Sequence, residues 1–392
     1  MLAMFSSCAS GSAASGWAGV TMYDGNLFTV SSRGQLNIIS IADLTSEAIV
    51  PIEESGGSGG LGCAPASVEI SIYGTPAVAG NMVYMAGYNG KIYAYNSTTG
   101  QLESKVLDQD NNQTIVGGPL VSDGKLYIAS SNGYVYSLYA NNLELDWKFK
   151  TDGKIWSTPV LSNGTLFIGS FDKKIYAIDA VTGVEKWSKS IGGAMMATPV
   201  VSGGVVYAVS LDRHIYAFDE ISGEQRWQYP VVDQSGKSPT EWFWSTPVLL
   251  NGFLYAPCMD GMVYAVDIAN PTNVKVFDLG SSIPSSPVVS NGKVVAVTDK
   301  GRVYTLDATI GINGEQRLIK DLRDVDKQPS LVVHSKLCAA DGIVYIHSLY
   351  PDIIYAVNIE SETLRRFALE AVSINTTTTV TVTETETKTV TE

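Results

Sequence analysis

The chain has 392 residues, a formal net charge of −13 and only 17% charged residues. That length is ample for a large core, and the acidic balance argues against nucleic-acid binding, which needs a basic footprint. No apolar run approaches the ~18 residues that would cross a membrane as a helix, and no helix-period segment stands out.

Residues 1–16 join an apolar stub to small residues, one cysteine (Cys8) and a Gly/Ser/Ala spacer. They resemble the end of a bacterial lipoprotein signal, and the resemblance implies that Cys8 carries a lipid. The apolar part is short, lacks a basic start and has Phe5 where such signals usually place Leu. The reading therefore expects a longer leader than the one present. The alternative is a frayed terminus with an ordinary cysteine.

From residue 17 to 370 one template recurs. The stretch 157–187, Ser-Thr-Pro-Val-Leu-Ser-Asn-Gly through Trp187, returns at 197–227 and ends on Trp227. The anchoring prolines Pro76, Pro119, Pro159, Pro199, Pro247 and Pro287 are 43, 40, 40, 48 and 40 residues apart. Each unit predicts four strands. Asn163-Gly164 is a hairpin signal because both residues accept positive φ at little cost. Asp179-x-x-Thr182-Gly183 is a second turn, with the carboxylate capping backbone amides and Gly left-handed. Runs such as 205–209, Val-Val-Tyr-Ala-Val, fit strands buried on both faces. Weaker copies at 25–39, 74–104, 117–147, 245–277, 285–320 and 336–369 bring the total to eight. The predicted fold is all-β, an eight-bladed β-propeller of four-stranded antiparallel blades, because a ~40-residue period with several short strands per unit is that architecture's signature. A seven-bladed ring with one stray repeat is the alternative.

Ala177-x-Asp179-x-x-Thr182-Gly183-x-x-x-Trp187 and Ala217-x-Asp219-x-x-Ser222-Gly223-x-x-x-Trp227 resemble the repeat named for pyrroloquinoline-quinone (PQQ) enzymes. The resemblance covers about 17–370 and implies that Trp147, Trp187 and Trp227 pack on glycine turns of neighbouring repeats, Gly183 and Gly223 among them. Proteins with this repeat include quinoprotein dehydrogenases, envelope scaffolds and sensor ectodomains. In size and lipid-attachment signal the chain is most similar to the lipoprotein propellers of the outer-membrane β-barrel assembly machinery.

An enzyme of the quinoprotein kind needs a cofactor slot, a calcium-type cation with oxygen ligands and a carboxylate base. The vicinal cysteine pair common among such dehydrogenases is missing here. Cys63, Cys258 and Cys338 lie far apart with no CxxC, and read as small buried hydrophobes. Asp172, Asp212, Asp260 and Asp299 all stand at the turn before a third strand, where Asp is a good turn former. His214, His334 and His347 show no metal or catalytic spacing. The expectation is no enzyme, with neither PQQ nor calcium as cofactor.

Three positions before each anchoring proline stand Tyr73, Val116, Trp156, Met196, Trp244 and Pro284. Equivalent positions of a propeller form a ring, here at a channel mouth. Tyr73, Trp156 and Trp244, with Trp242 and Phe243 of the 231–243 insertion, form the candidate partner or ligand surface, since aromatic anchors suit a peptide or a flat ligand. The structural alternative is that they plug the channel. The Thr-rich segment 371–392 reads as a solvated stalk, with an edge strand as the alternative. Together these readings make a monomeric, non-catalytic, extracytoplasmic scaffold that binds a protein partner and touches the membrane only through a lipid. The runners-up are a PQQ-dependent dehydrogenase and a small-ligand sensor with a pocket bordered by Trp156 and Trp244.

Overall fold

Each short apolar run between Gly, Asn or Asp turns forms one strand and pairs antiparallel with the next run. A computed structural model describes residues 16–52, 70–107, 113–231, 238–310, 313–327 and 330–369. Cys8, Cys63 and the 371–392 segment lie outside these described residues. Among the described residues there are eight four-stranded sheets, each built from four consecutive strands. They are blade 1 (21–51), blade 2 (77–106), blade 3 (120–150), blade 4 (160–190), blade 5 (200–229), blade 6 (248–278), blade 7 (288–321) and blade 8 (338–368). The first strands of neighbouring blades meet around the axis, and Thr21–Tyr23 lies beside both Ala77–Ala79 and Cys338–Ala340. The ring therefore closes on itself with eight blades, and the seven-bladed alternative is set aside. The one helix among the described residues, Leu322–Asp326, follows blade 7 and is capped by Asp321, whose side chain accepts from the Arg323 amide.

Burial follows the strand order. Second and third strands such as Val205–Val209 and Ile215–Asp219 are buried almost throughout, whereas outer strands such as Leu102–Val106 are largely exposed. Core clusters bridge neighbouring blades: Phe167 and Ile175 of blade 4 share one with Val206 and Phe218 of blade 5. Each fully buried side chain of this size contributes ~1.5–3 kcal/mol relative to exposure.

Tryptophan on glycine locks the middle of the ring. Trp147 of blade 3 covers Gly183 of blade 4, where an added Cβ would lie 2.7 Å from the indole, and its Nε1 donates to the Ala180 carbonyl at 3.2 Å. Trp187 repeats this on Gly223, with a 2.6 Å approach and a 3.1 Å bond to the Glu220 carbonyl. Both glycines have positive φ (+72° and +68°), so the site demands Gly for backbone and for space alike. Trp227 has no such seat, because the matching turn of blade 6 reads Ile268-Ala269-Asn270-Pro271; it packs in a cluster with Ile268 instead. At the next junction Phe277 takes over, lying against Gly314.

The junction of blades 8 and 1 uses polar contacts as well. His347 is fully buried, with Nδ1 2.8 Å from the Ala18 carbonyl and Nε2 2.7 Å from Asp352 Oδ1. The other Asp352 oxygen accepts the Ser32 amide at 2.7 Å. Around this pair, Val20, Leu27 and Ile39 pack with Tyr345, Ile354 and Phe367.

Candidate functional site at the channel mouth

The chain enters every blade in extended conformation, and alternation fixes which way each side chain faces. Counting back from the first strand, the residues one, three and five places before it are buried in all the blades where they are described, as at Ile155, Ser157 and Pro159. Most of the intervening residues, four and two places before, are more accessible, Met196, Pro284, Gly19 and Gly118 being the buried ones, and together they form two tiers around the axis. The buried serines brace the wall: Ser157, Ser245, Ser285 and Ser335 each donate to a main-chain carbonyl at 2.7–3.1 Å.

The upper tier contains Tyr73, Val116, Trp156, Met196, Trp244 and Pro284. Counting from strand starts adds Trp17 and His334, whose repeats carry Val20 and Leu337 in place of the proline. These two additions assemble the densest aromatic surface of the mouth. Trp17 stands edge-to-face on Tyr73 with centroids 4.4 Å apart and on His334 at 5.7 Å. Tyr73 stands in the same way on Tyr88, at 5.2 Å. Tyr88, 41% exposed, comes from the turn before the third strand of blade 2. Such edge contacts are worth ~0.5–1.5 kcal/mol each beyond area burial, so the patch is stiff as well as apolar.

The other predicted residues do not join it. Trp156 contacts Phe171 at 4.8 Å and donates from Nε1 to Ser131 Oγ at 3.2 Å, making a second, smaller patch. Trp244 is half-buried, and Trp242 is 37% exposed. Phe243 corrects the sequence reading: it is fully buried, packed near Tyr264 in the core of blades 5 and 6. It occupies the inward position held by Ile72, Ile115, Ile155, Met195, Ile283 and Val333 elsewhere, so it cannot present a surface. The cleft of about 780 Å³ between blades 5 and 6 is lined by Asp212, His214, Gln228, Asp260 and Met262 among others, and by neither Trp156 nor Trp244.

The carboxylates of the turns are occupied. Asp172 accepts the Lys174 amide at 2.9 Å and the Tyr176 hydroxyl at 2.6 Å. Asp212 and Asp260 repeat the pattern with Tyr216 and Tyr264, at 2.6 and 2.8 Å. Burial, followed by the neighbouring carboxylate, pushes the Tyr216 hydroxyl up to about 12. Asp299 departs from this expectation. It aligns with Phe171 of blade 4 and not with Asp172, and its Oδ1 is buried without a partner. It faces His334 electrostatically, where burial lowers the imidazole pKa and the Asp299 charge opposes that shift. Cys258 is buried and donates to the Glu241 carbonyl at 3.2 Å, and burial raises its thiol pKa. Among the described residues no group of three or more His, Cys, Asp or Glu could hold a metal ion.

The lower tier is a collar. Thr75, Thr158, Thr198, Thr246 and Ser286 supply hydroxyls, Gly19 and Gly118 pack closely on either side of Thr75, where an added Cβ would lie 2.3 Å from its hydroxyl oxygen and 2.6 Å from its carbonyl oxygen, and Lys336 completes the ring. Consecutive members are tied together: the amides of Gly118, Thr158, Thr198 and Thr246 donate to the hydroxyl oxygens of Thr158, Thr198, Thr246 and Ser286 at 2.8, 3.2, 3.2 and 3.1 Å.

A family model described as outer membrane protein assembly factor BamB matches residues 66–157 and 144–363. The chain belongs to this family. Among solved structures it is similar to BamB from Moraxella catarrhalis, with 16% identity, a TM-score of 0.65 and coverage of 85% of this chain and 91% of that one. It is equally similar to the computationally designed Ika8 protein, with 14% identity, a TM-score of 0.65 and coverage of 92% and 98%. No curated protein matches the sequence. At these identities the structural likeness speaks to the fold, and the family membership rests on the sequence match.

Proposed function

We propose that the chain is a non-catalytic scaffold of the cell envelope that serves outer-membrane protein assembly by holding a protein partner at the channel mouth. The observation that carries this reading is the contiguous aromatic surface of His334, Trp17, Tyr73 and Tyr88, set in a chain of the assembly-factor family. Rigid, partly exposed aromatic side chains anchor extended peptide at low entropic cost. A non-catalytic role is supported by the commitment of Asp172, Asp212 and Asp260 to tyrosine hydroxyls and turn amides, which leaves those carboxylates no free role as bases. The same reading includes no quinone and no calcium, a monomeric ring, and attachment to a membrane through a lipid on Cys8.

Photo-crosslinking in cells tests the docking face. A crosslinker at position 88 is expected to capture the barrel-assembly protein of the outer membrane, and one at Ile221, 89% exposed on the opposite face, is expected not to. Capture from 221 and none from 88 would sink the proposal. Anchoring is tested separately: Cys8→Ser is expected to release the protein from membranes with its fold intact, and membrane retention of that variant would refute the lipid.

A further inference from the structure

Both ring nitrogens of the buried His347 face oxygen acceptors. Nδ1 lies 2.8 Å from the Ala18 carbonyl, and Nε2 lies 2.7 Å from Asp352 Oδ1. A neutral imidazole has one N–H and one bare nitrogen, so it donates to only one of the two. The other contact would set lone pair against lone pair at hydrogen-bond distance, inside a core where an unmet polar group is most costly. One further proton resolves this. It belongs on the imidazole, the more basic of the two groups, and the carboxylate then serves two donors, with the Ser32 amide on Oδ2 at 2.7 Å.

The surroundings leave the pair to itself. His347 has no exposed side-chain surface and Asp352 has 16%. On the blade 8 side Ile354 pairs opposite His347, and the titratable groups are Tyr345 in the same cluster and Cys338 at its border. Burial raises the pKa of both, and Lys336 acts on Cys338. On the blade 1 side the packed residues Val20, Leu27 and Ile39 are apolar, and Arg33, next to Ser32, is exposed.

We propose that the closing seam of the ring holds a proton, as a His347 imidazolium between the Ala18 carbonyl and Asp352, and that alkaline solution loosens the join of blades 8 and 1 by removing it. The sign follows from counting protons. An opened seam, with its histidine in water, gives up its proton as pH rises past the ordinary range of an imidazole, whereas the closed seam needs it. Closure therefore loses support as pH rises. The effect reaches the channel mouth, because Ala18 directly follows Trp17, and the bond to its carbonyl holds the extended segment that presents that indole to Tyr73. The device involves no partner and stands apart from the docking reading.

Asp352→Asn is the deciding variant. Its amide nitrogen can donate to Nε2 of a neutral His347 while its oxygen accepts the Ser32 amide, so the seam keeps its contacts without the extra proton. Urea unfolding of the full chain is compared at about pH 6 and about pH 9. Over that interval the native chain is expected to lose about ten-fold or more in its folding equilibrium relative to Asp352→Asn, the size of one charge-assisted bond. Tyr345 and Cys338 titrate in both proteins and drop out of the comparison. Equal pH dependence of the two chains would overturn the proposal. Nitrogen-15 spectra of the native chain labelled at histidine read the proton directly, whether or not the variant folds. At about pH 6 His347 is expected to carry protons on both ring nitrogens, exchanging slowly because the ring is buried; a single ring proton there would equally overturn it.

Discussion

Blades 4 and 5 and the junction of blades 8 and 1 meet the same demand with different chemistry. Between blades 4 and 5 the seam is a repeated device: an indole on a left-handed glycine, a bond from the indole to a carbonyl, and a threonine-to-threonine link at the collar. Where the chain closes on itself, the tryptophan and the anchoring proline are both missing, and a buried histidine–aspartate pair reaches into blade 1. The collar also changes there, from hydroxyl to lysine and then glycine. Repetition specifies interfaces that are all alike, whereas the closing seam must be told apart from the others. Directional polar contacts do this, since a misplaced neighbour would leave buried groups unpaired.

Breaking the repeated seam should cost most. Trp187→Ala removes a buried indole and leaves a cavity over Gly223, which predicts a loss of ~3–5 kcal/mol. Trp242→Ala, at an exposed site, is expected to cost less than ~1 kcal/mol. Urea midpoints that fall equally for both would mean that core and surface are misassigned.

The closing seam should respond less strongly, and locally. Asp352→Ala leaves His347 Nε2 and the Ser32 amide without their acceptor, a predicted cost of ~1–3 kcal/mol. Hydrogen exchange should quicken first at Ser32 and Val20, while Thr198 and Thr246 in the middle of the ring stay protected. Uniform quickening around the ring would contradict a local seam.

The smallest effect sharpens the account of the turns. The Thr182 amide, then the Thr182 hydroxyl and Lys186, hold the Asp179 carboxyl near about 2, below its ordinary range. A lowered carboxyl pKa stabilises the fold above about pH 4, and that contribution fades as pH falls towards 2. Asn fills the same turn position in blades 2 and 8, at Asn96 and Asn358. Asp179→Asn should therefore cost under ~1 kcal/mol at pH 7, and its stability curve should converge on that of the native chain by pH 2. A gap that widens in acid would reverse the assigned sign.

The fold was legible because a ~40-residue period leaves few architectures open, and the Trp-to-Gly spacing pointed at the seams. The mouth was only partly legible. Proline spacing reached Tyr73 and Trp156 but passed over Trp17 and His334, whose repeats have Val20 and Leu337 where proline stands elsewhere. Adjacency alone places Phe243 with Trp242, although adjacent residues of an extended chain face opposite ways. The aliphatic residues at the matching place in other repeats, Ile155 and Ile283 among them, already carried that signal. Asp299 stands one place out of register with Asp172, a shift that shows only when residues are numbered back from the third strands, which start at Lys174 and Arg302. No local pattern could have revealed His347, because its partner carbonyl lies 329 positions away in the chain.

Each sheet is made from one uninterrupted run of chain, and the ring closes by side-by-side packing, with Val20 and Leu369 sharing one cluster. The order in which blades follow one another is thus a property of the polypeptide and not of the ring. A circularly permuted gene that joins 369 to 16 through a short linker and opens the chain in any connection between blades would encode the same propeller. The position of the gene's start is, for this architecture, a matter of bookkeeping.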